Sequence, residues 1–233
     1  MQIRNSSSLK TDSRVTSLSM GDSGKGKTFF AGTICDHGKP FFIDSEGGLK
    51  TVANKDFDYI GVNSWQEFLD GCAWYYNNHE ERGYTHLVVD SFTRLQHYLM
   101  KSINDDGKLT QSQWGEVLAS LRKVIDRLTK TCPTSLHVSA MAMESKDELS
   151  GGIKIYPNLQ GAFKYDLAGY FDVVFYHDCG EDKGEQKYWV QTQGDQRITA
   201  RSRLNSIKQL EKFEQNNYGI IANIFKGENN DRL

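Results

Sequence analysis

Short apolar runs recur along the chain and are separated by segments in which apolar residues return at helical spacing. Such runs are typical of strands that are buried on both faces of a sheet. They predict strands at 14–20, 39–44, 59–62, 86–90, 136–141, 171–176 and 187–192. Strands that alternate with helices favour an α/β fold with a mostly parallel sheet and helices on both faces. A turn rich in Gly, Asp and Glu predicts that the last two strands extend one edge as an antiparallel hairpin.

Helical spacing of apolar residues predicts the remaining regular structure. The predicted helices are 29–34, 65–76, 114–128 and 207–226. Thr110 or Ser112 is a candidate N-cap of the third helix. Residues 101–111 and 144–165 are predicted to be loops, the second rich in Gly and Lys. These elements divide the chain into a polar arm at 1–13, an α/β core at 14–206, and a C-terminal helix and tail at 207–233.

Composition indicates one soluble domain without a dominant charge. The chain has 233 residues, 38% of them hydrophobic, and a net charge of −2, so no general basic field points to nucleic acid. A local basic loop is still compatible with this balance. The four cysteines are far apart and, with the six histidines, give no zinc spacing, which favours reduced thiols in a cytoplasm. No apolar run approaches membrane-spanning length, so no membrane partner is expected.

One stretch carries a specific chemical signal, and the strands and helices surround it. It fits G-x-x-x-x-G-K-[ST] between a predicted strand and a predicted helix. Glycines let backbone N–H groups turn toward phosphates, the lysine reaches the outer phosphates, and the threonine hydroxyl binds Mg²⁺. The motif therefore predicts ATP and Mg²⁺ as ligands. The residues predicted to bind the nucleotide are Gly21, Asp22, Ser23, Gly24, Lys25, Gly26, Lys27, Thr28 and Phe29.

Two acids are candidates for the chemistry of phosphate transfer. Asp90 ends an apolar strand and is predicted to hold the metal together with Thr28. In many helicase-like ATPases a water-activating glutamate follows that aspartate directly, but here the next residue is Ser91. Glu46, just past the strand at 39–44, is therefore the candidate base, because it is expected on the same carboxyl edge of the sheet. The alternative is that Glu46 only caps a turn. A GTPase is disfavoured, since no N-K-x-D or D-x-x-G motif has the required position.

The order of several segments resembles a known family. Residues 42–49 resemble the catalytic-glutamate segment of RecA-type recombinases, and residues 87–91 resemble their second nucleotide motif. Residues 198–204 are similar to the segment that places two basic residues in a neighbour's ATP site. The whole chain most resembles the short RecA-like ATPases of bacteriophages, some of which anneal single-stranded DNA. One position departs, because the γ-phosphate-sensing strand of RecA ends in glutamine whereas residues 139–141 here read Ser-Ala-Met.

This resemblance implies further site residues. It marks residues 101–113 and 145–165 as DNA-facing, where lysines could follow phosphates and interleaved aromatic rings could stack on bases. The predicted DNA-binding residues are Lys146, Lys154, Tyr156 and Lys164, with Phe163 and Tyr165 as further rings. It also implies that Arg201 and Arg203 are catalytic in a neighbouring subunit, and two residues apart on a strand they would point the same way. The plain alternatives are a solvated loop and two solvated charges.

The sequence thus predicts a RecA-like P-loop ATPase of phage type that acts on single-stranded DNA in annealing or recombination. The resemblance implies a homo-oligomer, a ring or a filament, and phage or host recombination or replication proteins as further partners. Two alternatives stay open: a P-loop kinase of a small acceptor, and a DNA-binding module that binds nucleotide without hydrolysing it. A basic helix face is a second candidate DNA surface, although such a face is usually only solvated. It comprises Arg122, Lys123, Arg127 and Lys130.

Overall fold

The computed structural model describes residues 14–106, 108–146, 151–206 and 210–222. The predicted polar arm at 1–13 lies outside these residues, as do 207–209 and 223–233 of the predicted C-terminal segment. None of the helices found in the described ranges combines the length and the apolarity needed to cross a membrane.

A mixed sheet of ten strands forms the centre of the described part of the chain. Its strands are β1 (Thr16–Gly21), β2 (Pro40–Asp44), β3 (Asp58–Gly61), β4 (His86–Asp90), β5 (Ser135–Lys146), β6 (Ile153–Pro157), β7 (Val173–Asp182), β8 (Glu185–Gln191), β9 (Arg201–Ser202) and β10 (Phe213–Gln215). Eight of them lie side by side in the order β10-β8-β7-β1-β5-β4-β2-β3, while β6 pairs with β5 and β9 pairs with β7. The strands from β7 to β3 in this order pair in parallel. Strands β8, β10, β6 and β9 add antiparallel pairs. The parallel centre and the antiparallel hairpin β7–β8 at one edge are as predicted.

Helices cover both faces of this sheet. They are α1 (Lys27–Gly32), α2 (Trp65–Arg82), α3 (Phe92–Ile103), α4 (Gln111–Thr131) and α5 (Phe163–Asp166). Side chains alternate across the sheet: Leu87 and Val89 of β4 pack with the core under α2, α3 and α4, whereas Val88 packs with the core that contains α1. The predicted fold class, a mostly parallel α/β sheet with helices on both faces and antiparallel edge strands, is confirmed.

Helix α4 begins where local chemistry predicted. The Thr110 hydroxyl accepts a hydrogen bond from the backbone N–H of Gln113, and the Gln113 side chain reaches back to the N–H of Thr110. This reciprocal capping box decides between the two candidate caps in favour of Thr110.

Helix α3 corrects the sequence prediction. No helix was predicted at Phe92–Ile103, and its last turn was assigned to a loop. Phe92, Leu95 and Leu99 are all buried and lie three and four residues apart, so they form one apolar stripe on the sheet. This spacing was present in the sequence and could have revealed the helix.

Two further segments differ from the prediction. The loop predicted at 144–165 is mostly regular, because β5 continues to Lys146 and β6 folds back against it as an antiparallel hairpin. Residues 147–150, at the tip of that hairpin, lie outside the described residues. The helix predicted over 207–226 is interrupted, since β10 at Phe213–Gln215 pairs with β8. Pairing with an edge strand has here overridden the helical spacing of the apolar residues.

Candidate nucleotide-binding site

The phosphate-loop segment joins β1 to α1 in a conformation that requires glycine at two positions. Gly24 and Gly26 have φ values of 75° and 86°, in the left-handed region that glycine adopts without strain. A Cβ atom on Gly26 would lie 2.4 Å from Nδ2 of Asn216, so a side chain there would also collide with a neighbour. α1 is short and is continued by a 3₁₀ turn at Thr33–Asp36, so its helix dipole is small. The glycine loop and Lys27 are therefore the main candidates for anion binding.

Lys27 lies beneath this loop and is 7% exposed. Its Nζ donates hydrogen bonds to the carbonyl oxygens of Gly21 and Asp22, at 2.8 and 2.9 Å, and lies 3.7 Å from Sδ of Met141. Burial lowers the pKa of Lys27, and the nearby carboxylates of Asp90, Glu46 and Asp22 oppose that change. A bound phosphate group would place a negative charge in direct contact with this buried ammonium and would stabilise its charged form.

Asp90 is the buried acid of the site. Its Oδ2 accepts a hydrogen bond from the Thr28 hydroxyl at 2.8 Å, and its Oδ1 accepts one from Ser139. Burial raises the pKa of Asp90, the Glu46 carboxylate adds to this, and the bonds from Ser139 and Thr28 and the charge of Lys27 oppose it. A buried carboxylate beside a threonine hydroxyl is a donor set that suits a hard divalent cation such as Mg²⁺. The predicted pair Thr28 and Asp90 is thus brought together.

Glu46 is held at the carboxyl edge of the sheet by two neighbours. Oδ1 of Asp44 accepts hydrogen bonds from the backbone N–H groups of Glu46 and Gly47, at 3.0 and 2.8 Å, which fixes the turn after β2. The Ser91 hydroxyl donates to Oε1 of Glu46. Asp44 and Asp90 are register partners in neighbouring parallel strands, so Glu46 and the metal-binding candidate Asp90 lie at the same carboxyl edge of the sheet. The turn presents the Glu46 carboxylate toward the loop while leaving the side chain exposed to solvent.

A cavity of about 510 Å³ opens beside the loop. It is lined by Ser23, Gly24, Gly26, Lys27, Thr28, Phe29, Glu46, Gly48, Thr51, Met141, Tyr188 and Asn216. Lys27 lies at the floor of this cavity, Asp90 lies behind it, and the glycine loop forms one side. This arrangement fits a nucleoside triphosphate with its metal ion. In that assembly Lys27 and the loop would hold the phosphates, and Thr28 and Asp90 would hold Mg²⁺, which stabilises negative charge on the phosphoryl oxygens.

The other predicted loop residues have distinct positions. Phe29 is 49% exposed at the mouth of the cavity. Lys25 turns outward, where its Nζ lies 2.7 Å from Oδ1 of Asp178 on β7. Asp22 contributes its backbone carbonyl to Lys27. The side chains of Lys25 and Asp22 therefore do not line the cavity, although their backbone belongs to the loop.

Several residues of the site were not identified from the sequence. Ser139 on the Asp90 carboxylate, Ser91 on Glu46 and Asp44 beneath the turn are small polar residues inside or just after apolar strands, where a buried polar group calls for a partner. Tyr188 and Asn216 carried no signal. They reach the cavity only through the pairing of β8 with β7 and of β10 with β8.

A sequence model of a family described as an AAA domain matches residues 13–204. The chain belongs to this AAA domain family. AAA domains are P-loop ATPase domains that generally use ATP and Mg²⁺, in agreement with the loop, Lys27 and Asp90 described above. In this AAA domain β5 lies between the phosphate-loop strand β1 and the strand β4 that ends in Asp90.

Comparison of the AAA domain with curated protein sequences gave no match. Among solved structures, a KaiC-like protein from the hyperthermophilic archaeon Pyrococcus horikoshii OT3 is similar, with 16% sequence identity. The likeness covers 76% of this chain and 77% of that chain, with a TM-score of 0.46.

Arg201 and Arg203 converge on one backbone carbonyl from two different elements. Arg201 lies in β9, but Arg203 begins a 3₁₀ turn, so the prediction that both lie on one strand is wrong. Nη2 of each arginine donates to the carbonyl of Gly169, at 3.0 and 3.1 Å. Arg201 also donates to the carbonyls of Ala168 and Phe171, which ties it to its own chain. Burial lowers the pKa of Arg201, and the neighbouring charge of Arg203 adds to this.

Both arginines lie far from the phosphate loop of their own chain. Arg201 pairs with Val174 of β7, which in turn pairs with Leu18 of β1. The loop leaves β1 only after Gly21, three residues further along the strand, or roughly 10 Å at strand spacing. Arg201 is therefore level with the middle of β1 and Arg203 lies nearer its amino end, whereas the loop follows the carboxyl end of that strand.

The predicted DNA-binding residues divide between the two faces of the β5–β6 hairpin. Ser145 pairs with Lys154, and Lys164 donates to the Ser145 hydroxyl at 3.3 Å. Tyr156 lies two residues after Lys154, hence on the same face, and its ring packs edge-on against Tyr165 at 5.0 Å. We call these four side chains, Lys154, Tyr156, Lys164 and Tyr165, the basic–aromatic face.

Two residues do not belong to that face. Lys146 pairs with Ile153, the position next to the Ser145–Lys154 pair. Because successive side chains of a strand point to opposite faces, Lys146 points to the other side of the hairpin. Phe163 was predicted to be available to bases, but it is fully buried and packs with Phe92 and Tyr170. That prediction is wrong because the ring completes the core beneath α5.

Replacing Lys27 by alanine tests the floor of the cavity. We expect the affinity for Mg-ATP to fall by about 100-fold or more, because the variant loses a charge-assisted contact to the outer phosphates. Isothermal calorimetry measures the affinity, and circular dichroism checks folding. Lys55→Ala is the matched control, since Lys55 forms a surface ion pair with Asp36 and should bind nucleotide like the parent. A folded Lys27→Ala protein with parental affinity would remove the phosphate-loop assignment.

Proposed function

We propose that this AAA domain is an ATP-hydrolysing, RecA-like protein of phage type that acts on single-stranded DNA in annealing or recombination. It works as a homo-oligomer, a ring or a filament, alongside recombination or replication proteins of the phage or its host. The observation that carries the proposal is the basic–aromatic face, at the end of the strand that passes the nucleotide cavity.

Strand β5 links the two sites directly. Met141 pairs with Gly21 at the start of the phosphate loop, and its sulfur lies 3.7 Å from the Lys27 ammonium. The same strand continues without interruption to Lys146 and there forms the hairpin with β6. A shift of β5 at Met141 would therefore be transmitted to the hairpin. This continuity supports coupling between the state of the nucleotide and the affinity for DNA, even though Met141 stands where the γ-phosphate-sensing strand of RecA has its glutamine.

The chemistry of the basic–aromatic face suits a single strand. Two ammonium groups can follow the phosphates, and a tyrosine ring offers a stacking surface that accepts any base. Tyr165 is 45% exposed, and the Lys164 ammonium lies 5.0 Å from the centre of its ring. Cations and rings side by side match a flexible strand with unstacked bases better than a rigid duplex.

The alternative basic surface on α4 is less suitable. Arg122 is paired with Asp166 at 2.7 Å, and Lys130 is paired with Asp126 at 2.6 Å. Arg127 lies over the ring of Tyr76, 5.7 Å from its centre. A strand of DNA would have to compete with these partners on α4, whereas the hairpin offers aromatic rings beside its lysines for stacking.

The arginines support assembly of like subunits. Arg201 and Arg203 lie toward the amino ends of the strands, whereas the phosphate loop lies at their carboxyl ends, so neither arginine lines the cavity of its own chain. A head-to-tail contact brings one edge of a subunit against the other edge of the next and produces a ring or a filament. Arg203 is the better candidate to act in a neighbour's site, because its side chain is 53% exposed whereas Arg201 is tied to three carbonyls.

Hydrolysis would use Glu46 to orient or deprotonate the attacking water, since its carboxylate follows the same sheet edge as Asp90. Lys27 and the neighbour's arginine would stabilise charge that develops on the transferred phosphoryl group.

The decisive experiment measures ATP turnover with and without single-stranded DNA, together with DNA affinity as a function of salt. In Lys154→Ala/Lys164→Ala we expect weaker binding of an oligothymidine strand. We also expect the slope of log K against log salt to shrink by about 1.4, since about 0.7 counterion is released per phosphate contact. ATP affinity should be unchanged. Lys146→Ala, on the other side of the hairpin, is the matched control and should change the slope less.

Other outcomes point elsewhere. A double variant with parental DNA affinity and slope would exclude the basic–aromatic face, and a larger loss in Lys146→Ala would move the DNA to the other side of the hairpin. A monomer that turns over ATP only with a small acceptor and ignores DNA would indicate a kinase. Binding of ATP and DNA with negligible phosphate release would indicate a binding module.

A further inference from the structure

The cavity beside the phosphate loop has a side wall that comes from a distant part of the chain. Tyr188 is in β8 and Asn216 directly follows β10, so both are more than 150 residues beyond the loop in sequence. Asn216 also lies outside the residues matched by the AAA domain family, which end at 204. The loop and Lys27 would bind the phosphates, and Asp90 would bind the metal ion. None of these contacts involves the wall formed by Tyr188 and Asn216.

Tyr188 stands above the loop because of the hairpin register. Met20 pairs with Tyr176 of β7, and three residues further along that strand Cys179 pairs with Tyr188. Tyr188 and Val190 share one face of β8, and Val190 is buried in the core that contains α1. The tyrosine therefore continues that core beyond the sheet edge and over the loop.

The ring of Tyr188 is packed on one part and open on another. A Cβ atom on Gly26 would lie 3.1 Å from its Cδ1, so the ring rests close to the loop backbone. The residue is nevertheless 40% exposed and lines the cavity. Phe29 is 49% exposed and lines the same cavity. Two exposed rings therefore line the same cavity as the phosphate loop and Lys27.

Asn216 anchors this wall through both ends of its side-chain amide. Its Nδ2 donates to the carbonyl of Gly26 at 3.1 Å, and its Oδ1 lies 3.0 Å from Nδ1 of His177. The other ring nitrogen of His177 lies 2.6 Å from the hydroxyl of Ser19. Burial lowers the pKa of His177, so the ring is neutral and bridges the amide and the serine. The amide thus holds the loop, and the two rings keep exposed surface in the cavity where a ligand can reach them.

We propose that the open part of the Tyr188 ring is the platform on which the base of the bound nucleotide stacks, with Phe29 closing the mouth of the cavity. This deepens the proposed function and rests on it, since it assumes that a nucleoside triphosphate occupies the loop. Base–aromatic stacking is tolerant of base identity because every base has a π-face. The subsite contributes affinity for the nucleoside part, while the loop and Lys27 bind the phosphates.

Binding of ATP compared with inorganic tripolyphosphate, each with Mg²⁺, separates the two parts. Tripolyphosphate keeps the phosphate contacts and has no base. In Tyr188→Ala we expect the affinity for ATP to fall by about 5- to 150-fold, the range of one base–aromatic stack. The affinity for tripolyphosphate should stay at the parental value. Tyr188→Phe keeps the ring and should bind ATP like the parent. Tyr59→Ala is the matched control, because Tyr59 is 60% exposed on β3 at the far edge of the sheet.

Each result has a definite meaning when both ligands are measured by calorimetry. Parental ATP affinity in Tyr188→Ala, with the parent protein binding both ligands, would overturn the base platform and leave the proposed function standing. An equal loss for ATP and tripolyphosphate would also overturn it, because the ring would then act only on the loop. If the parent binds neither ligand, the proposed function itself fails.

Discussion

Glu46→Gln is expected to retain ATP binding and to lose about 10²- to 10⁴-fold in turnover, the usual contribution of a general base. The amide keeps the size of the carboxylate and can still accept a hydrogen bond from the Ser91 hydroxyl, so the turn held by Asp44 should persist. What is lost is the charge that orients or deprotonates water. Steady-state phosphate release measures the rate, and calorimetry with Mg-ATP measures the affinity.

Two variants make this result specific. Glu81→Gln changes a glutamate on the exposed surface of α2, away from the cavity, and should hydrolyse ATP at the parental rate. Asp90→Asn removes the charge of the buried carboxylate that contacts Thr28, so it should raise the Mg²⁺ concentration needed for activity. Parental turnover in Glu46→Gln would mean that the base is elsewhere and that Glu46 only completes a turn.

Arg203→Ala is expected to lower turnover by about 10³- to 10⁵-fold if the protein assembles as proposed, the effect of an arginine supplied by a neighbouring subunit. Arg203 is chosen over Arg201, because loss of Arg201 would leave three backbone carbonyls without their guanidinium partner. Mixing Arg203→Ala with Lys27→Ala should restore part of the activity. At random assembly about one head-to-tail interface in four combines an intact loop with an intact arginine.

The mixing experiment has its own controls. Arg122→Ala removes an exposed arginine that is paired with Asp166 and should leave turnover unchanged. Sizing of differently tagged subunits shows whether the two inactive proteins assemble together. Normal turnover in Arg203→Ala, or an inactive mixture of co-assembled subunits, would contradict a site completed between subunits and would leave Arg203 as a contact of the Gly169 carbonyl.

Local sequence was sufficient wherever short-range physics decides the structure. The strand β4 at His86–Asp90 has the predicted bounds, because its short apolar run is of the length and composition typical of a strand that is buried on both faces of a sheet. The left-handed glycines of the phosphate loop and the Thr110 cap follow from backbone preferences within a few residues. Parallel strands align their carboxyl ends, so the nearness of Glu46 and Asp90 also followed from the order of elements.

Tertiary structure alone decided which side chains meet across long separations. The pairing of β5 with β6 separates Lys146 from Lys154, although both lie in one Lys-rich segment. The interruption of the predicted C-terminal helix by β10 carries Asn216 to the loop carbonyl of Gly26, 190 residues away in sequence. Helical spacing could not foresee this, because a free edge of β8 offered hydrogen bonds that a local pattern does not record. The sequence by itself therefore determined the P-loop ATPase core and the residues that meet at its phosphate loop, whereas strand pairing at the sheet edges determined the cavity wall with Tyr188 and Asn216 and the composition of the basic–aromatic face.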